Sequence, residues 1–317
     1  MRDAAVAAFL ASAGWARDGA EPIPGDASRR RYFRLLRNAD SAILMDASPE
    51  TGEDTHAFHR ISDHLVTCGL SAPRILRADH DLGLLLLEDL GPDQVSLHLT
   101  ARPEDEGPVY AAVTDVLLAL QTCPVLADLP RLTPDIAAQM LSPFFDHAAP
   151  GAPRSEVEAE IEHLFSGCIR PAQTLSLRDF HAENLIWRPG RTGLDKVGIL
   201  DFQDAFIAPG AYDLVSLLRD ARRDVGPSTE QQVLDAFAAG TGMDRSTLDQ
   251  EVAILSVQRN LRIIGIFHRL IFQEAKPRYQ DFIPRVVAHI RRDLDHPALH
   301  KLRVLINDLI PPTTYPA

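Results

Sequence analysis

The chain is poor in cysteine, lacks basic runs and has no long apolar stretch. Its three cysteines are isolated, without a C-x-x-C spacing, so the pattern predicts neither a zinc site nor a disulfide framework and favours a reduced, cytoplasmic setting. The formal net charge of −12 argues against a nucleic-acid-binding protein, because such proteins need basic surfaces. No apolar run approaches the ~20 residues of a membrane span, so no membrane partner is expected.

The predicted elements change from strands to helices along the chain. In the first 90 residues, two strand pairs are predicted, at 31–37 with 41–45 and at 74–77 with 82–87, together with a helix over 52–68. Residues 4–13 favour a short amphipathic helix over a signal peptide, because Asp3 lies where a basic region is required. Helices are then predicted near 105–121, 134–147, 154–167, 211–223, 229–240, 246–273 and 280–293.

One short segment carries a chemically specific pattern. Asp179 is followed five residues later by Asn184, and Asp201 ends an apolar run shortly afterwards. A carboxylate that accepts a hydroxyl proton, with an amide oxygen and a second carboxylate that hold Mg²⁺, is the layout of a kinase catalytic loop and its metal-binding partner. The alternative interpretation is a surface loop with an Asx-turn and an ordinary aspartate at the end of a strand.

The residues around these three positions strengthen the pattern. Residues 177–180 resemble the H-R-D-L of protein kinases with Leu177 in place of His, and residues 201–203 resemble D-F-G with Gln203 in place of Gly. Residues 189–193 contain proline and two glycines, which predict a turn. The two motifs are therefore expected to flank a short hairpin.

Longer segments resemble the aminoglycoside phosphotransferase-like kinase superfamily, and within it the bacterial N-acetylmuramate/N-acetylglucosamine 1-kinases. The resembling segments are 25–34, 44–47, 85–91, 178–184, 200–205, 212–220 and 258–267. The resemblance implies an α+β, bilobal protein-kinase-like fold. It implies a small β-rich N-lobe over residues 1–90, which binds nucleotide, and a larger helical C-lobe over residues 91–317, which carries the catalytic loop and the substrate-binding helices.

The resemblance also implies an activity and its site residues. It implies ATP- and Mg²⁺-dependent phosphorylation of the anomeric hydroxyl of an amino sugar by a cytoplasmic monomer, giving a sugar 1-phosphate for peptidoglycan recycling. Asp179 is expected to be the base, with Arg178 beside it, and Asn184 and Asp201 are the expected Mg²⁺ ligands. The residues expected to bind ATP are Ser28, Arg29, Arg30, Glu88, Asp89 and Leu90. The residues expected to face the sugar are His181, Gln203, Asp204, Arg259 and Arg262.

Several of these roles have structural alternatives. Asp213 follows Pro209-Gly210 at a predicted helix start, so it is expected to cap that helix or to brace the catalytic loop. Arg259 and Arg262 lie three residues apart on one helix face, where they are candidates for binding the sugar or a lactyl carboxylate. A buried salt bridge is the alternative for both arginines. For His181, Gln203 and Asp204, an indirect role is as compatible with the sequence as direct contact with the sugar.

The sequence departs from the kinase pattern in the N-lobe. Its three lysines, Lys196, Lys276 and Lys301, all lie beyond residue 90, so the strand lysine that pairs with phosphates in kinases is absent and Met45 stands near its place. A G-x-G-x-x-G loop is also missing. Ser28 with Arg29, Arg30 or Arg31 is the expected replacement, because guanidinium and hydroxyl groups bind phosphate; a solvated strand face is the alternative for the arginines.

Two other functions remain open from the sequence. The first is another small-molecule kinase of the same superfamily, acting on an aminoglycoside or choline, which the surplus of acidic residues would tolerate. The second is a catalytically silent nucleotide-binding regulator, which the missing lysine and glycine loop would suit. The joint presence of Asp179, Asn184 and Asp201 argues against the regulator, because a silent binder needs no base.

Overall fold

The computed structural model describes residues 2–23, 30–52 and 54–310 of the chain. The chain forms two compact units. The first comprises residues 1–98 and 183–204, and the second comprises residues 99–182 and 205–317. The segment 183–204 thus belongs to the same unit as the N-terminal residues, and the division into lobes at residue 90 stays a prediction.

An antiparallel sheet of five strands, in the order β1-β2-β3-β5-β4, lies at the centre of the first unit. Its strands are β1 (Glu21–Ile23), β2 (Arg31–Arg37), β3 (Asp40–Asp46), β4 (Ile75–Asp79) and β5 (Leu84–Glu88). The predicted β2–β3 hairpin forms, with Arg37 opposite Asp40. Asn38 has a φ of 56° in its turn, and asparagine tolerates this left-handed conformation better than most residues do.

Two helices accompany this sheet. Helix α1 (Arg2–Ser12) places Val6, Phe9 and Leu10, about one turn apart, in a core cluster with sheet residues such as Leu35 and Leu44. Burying a side chain of this size stabilises the fold by about 1.5–3 kcal/mol. Helix α2 (Thr55–Thr67) begins at an N-cap aspartate, whose side chain accepts the His56 N–H at 2.8 Å.

A second, shorter hairpin completes the first unit. Strand β7 (Leu185–Trp187) pairs antiparallel with β8 (Val197–Ile199), as the turn residues between them predicted. Its strands are tied to earlier segments, since Ile199 N–H donates to the Ser71 carbonyl at 2.9 Å. A Cβ added at Gly198 would lie 2.9 Å from Leu90 Cδ1, so a larger residue here would require the Leu90 side chain to shift.

The second unit is mainly helical. The chain enters it within α3 (Val95–Ala101). Its other elements are α4 (Glu106–Thr122), α5 (Pro134–Gln139), α6 (Arg154–Cys168), β6 (Thr174–Ser176), β9 (Phe206–Ala208), α7 (Tyr212–Leu218), α8 (Pro227–Thr241), α9 (Arg245–Phe272), α10 (Ile283–Leu294) and α11 (His300–Ile306). Strands β6 and β9 pair antiparallel, which places the loop after β6 next to the start of α7.

Helix α9 is the central element of the second unit. Asp244 caps it by accepting the N–H groups of Ser246 and Thr247 at 3.0 and 3.2 Å. A Cβ at Gly265 would lie 2.1 Å from the Pro143 carbonyl carbon, so α9 contacts the 143–144 backbone directly. The predicted helix over 134–147 is interrupted after Gln139, because Pro143 has no N–H to donate to the carbonyl of residue 139.

No helix in the described part of the chain combines the length and the apolar character needed to cross a membrane.

Candidate active site

In the second unit, Asp179 lies in the loop that follows β6. Its side chain is 43% exposed, and its Oδ1 lies 3.7 Å from Nη2 of Arg259 on α9. Arg259 is itself buried and donates from Nη2 to the Ser216 hydroxyl at 2.8 Å. The carboxylate is thus accessible on one side and lies next to a buried cation on the other.

Asp213 on α7 fixes the backbone of the loop before Asp179. Its Oδ1 accepts hydrogen bonds from Ser176 Oγ at 2.7 Å and from Arg178 N–H at 3.1 Å, and its Oδ2 accepts from Leu177 N–H at 2.7 Å. Because Asp213 is fully buried, desolvation raises its pKa to about 6 even though all three hydrogen bonds oppose that rise. The side chain that the sequence analysis named as a brace therefore contacts the loop directly.

Arg178, next to Asp179, has an unusual backbone conformation. Its φ is +71°, in the left-handed region that costs a residue with a Cβ about 1–2 kcal/mol. Its N–H is held by Asp213, and its carbonyl accepts the Ser216 hydroxyl at 3.2 Å. The sequence analysis missed Ser216. The signal was present, because Asp213 and Ser216 lie three residues apart on one helix face.

Two more predicted substrate residues lie in this unit. His181 is 7% exposed, and burial lowers its pKa well below the ordinary value, with Arg222 and Arg259 acting in the same direction. Its imidazole is therefore neutral at physiological pH. Arg262 follows Arg259 by one helical turn and is partly buried near Asp179.

In the first unit, the β7–β8 hairpin brings Asn184 and Asp201 together at its open end. Asn184 immediately precedes β7, Asp201 follows β8 by two residues, and the Leu200 N–H donates to the Asn184 carbonyl at 2.9 Å. The side chains also meet, with Asn184 Nδ2 at 3.4 Å from Asp201 Oδ2. Asp201 has a φ of 56°, which turns the chain sharply after the strand.

The neighbours of Asp201 differ in burial. Gln203 donates from Nε2 to Asp201 Oδ1 at 2.9 Å, and its own Oε1 is buried without a hydrogen-bond partner. Asp204 is exposed. Amide and carboxylate oxygens of this kind are the ligands that Mg²⁺ prefers, so the donor set at Asn184 and Asp201 fits that ion.

The structure describes four of the six residues that were predicted to bind ATP: Arg30, Glu88, Asp89 and Leu90. Ser28 and Arg29 lie outside the described residues, and Arg30 is partly buried just before β2. Glu88 ends β5 and its N–H donates to the Arg74 carbonyl at 2.9 Å. Leu90 is buried against the β7–β8 hairpin.

The side chain of Asp89 has a partner that the sequence analysis did not find. Arg34 on β2 donates to both carboxylate oxygens, at 2.7 and 3.1 Å, and Gly91 N–H donates to Oδ1 at 2.9 Å. Burial raises the pKa of Asp89, but these hydrogen bonds outweigh that effect and the net shift is downward. The ion pair therefore anchors the segment after β5 to the sheet.

The position expected for a kinase lysine is apolar and closed. Met45 is 0% exposed in β3, opposite Leu85 and Tyr32. The adjacent Asp46 is also buried and pairs with Arg31 and with Arg2, whose Nε lies 3.0 Å from Oδ1. Arg31, a candidate phosphate ligand in the sequence analysis, thus pairs with a carboxylate of its own unit.

The chain is similar to known proteins over almost its whole length. The model of a family described as "Phosphotransferase enzyme family" matches residues 19–248. The chain is similar to the N-acetylmuramate/N-acetylglucosamine kinase of Caulobacter vibrioides, with 37% identity over 99% of this chain and 98% of that protein. The kinase of the same name from Pseudomonas aeruginosa is 30% identical, over 91% of this chain and 88% of that protein.

A solved structure shares the fold. It is a choline/ethanolamine kinase family protein from Mesorhizobium loti, with a TM-score of 0.67 and 15% identity, and the match covers 97% of this chain and 100% of that one. This likeness confirms the predicted α+β, protein-kinase-like fold with a small β-rich lobe and a larger helical lobe. The match over residues 19–248 and the near full-length similarity to two kinases show that this chain belongs to the phosphotransferase enzyme family.

Proposed function

We propose that this protein is an ATP-dependent kinase that phosphorylates the anomeric hydroxyl of N-acetylmuramate and N-acetylglucosamine. The product is the sugar 1-phosphate, which serves the recycling of cell-wall sugars. The observation that carries this proposal is the 37% identity, over 99% of the chain, to a protein named for those two sugars. Asp179, Asn184 and Asp201 support it, because phosphoryl transfer needs a base and oxygen ligands for Mg²⁺.

In the proposed reaction, Asp179 accepts the proton of the C1 hydroxyl. The hydroxyl oxygen forms a bond to the γ-phosphorus of ATP, and the bond from that phosphorus to the β–γ bridging oxygen breaks to leave ADP. An anomeric hydroxyl is more acidic than an ordinary alcohol, so a carboxylate is a sufficient base. Asp213 keeps the loop in its conformation, and Arg178 steadies the loop or the phosphoryl group.

In this proposal, residues of the first unit bind the nucleotide and its metal. Asn184 and Asp201 hold Mg²⁺, which offsets negative charge on the phosphates when it is bound. The backbone at Glu88, Asp89 and Leu90 binds adenine. Ser28, Arg29 and Arg30 bind the phosphates in place of the absent lysine.

The charge around Asp179 favours a sugar over a polycation. Arg178, Arg259 and Arg262 all lie close enough to interact electrostatically in this part of the second unit. An aminoglycoside carries several ammonium groups and choline carries a quaternary ammonium, which these guanidinium groups would repel. His181, Gln203 and Asp204 are the proposed further contacts to the sugar, together with Arg259 and Arg262.

The test is ADP release from the purified protein with Mg-ATP and a panel of acceptors. The panel contains N-acetylmuramate, N-acetylglucosamine, glucose, kanamycin and choline. Asp179→Asn removes the base while keeping the side-chain volume. Asp115→Asn, an exposed position on α4, is the matched control. Phosphorus NMR of the product, coupled to the anomeric proton, identifies the phosphorylated hydroxyl.

Turnover confined to the two N-acetyl sugars, lost in Asp179→Asn and kept in Asp115→Asn, is the expected result. Turnover with kanamycin or choline alone would contradict the proposed substrate but would support the proposed phosphotransferase chemistry. ATP binding without turnover of any acceptor would support the silent nucleotide-binding protein instead.

A further inference from the structure

The second unit concentrates positive charge beside Asp179. Arg262 interacts electrostatically with Arg178, Arg259 and Asp179. Asp179 also contacts Arg259. Two other carboxylates, Asp213 and Asp220, interact with Arg259. Asp213 already accepts three hydrogen bonds from the loop.

Arg259 and Arg262 differ in how their charges are used. Arg259 contacts Asp179 at 3.7 Å and Ser216 at 2.8 Å, so its guanidinium is engaged by the catalytic loop and α7. Among the residues that the structure describes, no carboxylate forms an ion pair with Arg262. Burial lowers the pKa of Arg262, and the nearby Arg178 and Arg259 lower it further. Asp179 opposes this lowering electrostatically, but its carboxylate already contacts Arg259, so a ligand anion beside Arg262 would give this partly buried cation a partner of its own.

A second polar group beside Arg262 also lacks a partner. The Tyr212 side chain is 1% exposed, and its hydroxyl has no hydrogen-bond partner. Burial raises the pKa of this phenol, while Arg259 and Arg262 act against that rise, so the phenol lies close to both guanidinium groups. A buried hydroxyl without a partner costs about 1–3 kcal/mol, which a hydrogen-bonding ligand would recover.

The two proposed sugars differ at one position. N-acetylmuramate carries a lactyl ether with a carboxylate on C3, and N-acetylglucosamine carries a hydroxyl there. Resting on the proposed function, we infer that Arg262 binds the lactyl carboxylate of N-acetylmuramate and thereby sets the preference for that sugar over N-acetylglucosamine. Tyr212 donates its hydroxyl to the same ligand.

The register of α9 fits this assignment. Arg259 contacts the base, and Arg262 is displaced from it by three residues, or about 4.5 Å along the helix axis. The lactyl group is displaced from the reacting C1 hydroxyl by two ring carbons. Arg178, in contrast, is adjacent to Asp179 in the chain, so it is better placed for the reacting phosphoryl group. A helix as long and as buried as α9 also holds its side chains rigidly.

The experiment compares kcat/KM for three sugars in four proteins. The sugars are N-acetylmuramate, its methyl ester and N-acetylglucosamine. The proteins are the wild type, Arg262→Met, Arg262→Lys and Arg245→Met. Arg245 is the control because it lies at the start of the same helix, 17 residues before Arg262, and pairs with Asp235 and Asp249. Circular dichroism and thermal unfolding check that each variant is folded.

In the wild type, kcat/KM for the methyl ester is expected to be lower than that for N-acetylmuramate and close to that for N-acetylglucosamine, because the ester lacks the negative charge. Arg262→Met is expected to lower the ratio of kcat/KM for N-acetylmuramate to that for N-acetylglucosamine by about ten- to a hundred-fold, as expected for loss of one charged hydrogen-bonded pair, with little further effect on the ester. Arg262→Lys should recover part of the ratio, and Arg245→Met should retain it.

Equal losses on all three sugars in Arg262→Met would overturn the inference, since they would indicate a role in phosphoryl transfer or folding. A wild type that does not distinguish the acid from its ester would overturn it as well. A wild type that turns over neither N-acetyl sugar would instead defeat the proposed function, and the inference with it. Turnover of the N-acetyl sugars by the wild type therefore separates the two failures.

Discussion

The Oδ2 of Asp213 accepts a 2.7 Å hydrogen bond from the backbone N–H of Leu177, two residues before Asp179. The same carboxylate also holds the Arg178 N–H, and Arg178 has a positive φ. A buried side chain on α7 therefore determines the backbone conformation that presents Asp179. Asp213 positions the loop and does not itself face a substrate, because it is 4% exposed and its oxygens already accept three hydrogen bonds.

The first prediction concerns this carboxylate. Asp213→Ala leaves the Ser176 hydroxyl and the Leu177 N–H without this acceptor, and the Arg178 N–H keeps only Ser176 Oγ at 3.2 Å, so the free energy of unfolding should fall by about 2–4 kcal/mol. Urea unfolding followed by circular dichroism measures the change. Asp115→Ala removes an exposed carboxylate and should stay within about 0.5 kcal/mol of the wild type. If the two variants unfold at the same urea concentration, the bonds at Asp213 do not stabilise the loop.

The second prediction concerns Asp201 and its left-handed backbone. Asp201→Asn keeps a residue that tolerates a positive φ, so the variant should fold normally while requiring more Mg²⁺ and turning over about a hundred-fold more slowly. Activity titrated against Mg²⁺ measures both effects. Asp201→Ala should have the same catalytic loss but be about 1 kcal/mol less stable than Asp201→Asn, because alanine is strained at this φ. An unchanged Mg²⁺ requirement in both variants would remove Asp201 from the metal site.

The third prediction concerns the ion pair between Arg34 and Asp89. Arg34→Met leaves a buried carboxylate with one fewer partner and should lower the free energy of unfolding by about 1–3 kcal/mol and weaken ATP binding. The double variant Arg34→Met/Asp89→Asn should recover part of the stability, which a double-mutant cycle measures. Arg74→Met, at a side chain 68% exposed beside Glu88, is the surface control and should change stability by less than about 1 kcal/mol. Strictly additive effects at Arg34 and Asp89 would contradict a direct interaction.

The fourth prediction concerns pH and His289 on α10. Burial, then Arg219 and Arg292, lower the pKa of this imidazole to about 4, and its Nε2 has no hydrogen-bond partner. The pKa in the folded state lies below the ordinary 6.5, so the unfolded chain takes up the proton first as the pH falls. The stability that neutral His289 contributes is present above pH 6.5 and is lost between about pH 6.5 and 4.

The variant His289→Gln should therefore lose less stability on acidification. The difference between wild type and variant should change by up to about 3 kcal/mol from pH 7 to pH 4. Unfolding free energies at several pH values, in the same buffers, provide the measurement. Parallel pH curves for the two proteins would mean that His289 does not stay neutral in the folded state.

Much of the local structure was predictable from residue patterns. The apolar spacing in α4, α6 and α9 and the proline boundaries identified these helices closely, because both signals act within a few residues. The turn at Asn38 and the hairpin between Leu185 and Ile199 were predictable for the same reason. Two predicted helices were too long. The helix over 134–147 is broken, because the missing N–H of Pro143 outweighed the apolar pattern, and the helix over 211–223 ends at Leu218.

The sequence by itself determined the kinase-like pattern of Asp179, Asn184 and Asp201, because that pattern is defined by residue type, spacing and the strand before Asp201. Only the tertiary structure decided which distant side chains form pairs. Arg34 and Asp89 are 55 residues apart, and Arg259 lies 80 residues beyond Asp179, so no periodicity connects them. The difference is physical. Helices and turns arise from neighbours in the chain, whereas ion pairs and hydrogen bonds between distant side chains exist only after the core has packed and excluded the other partners.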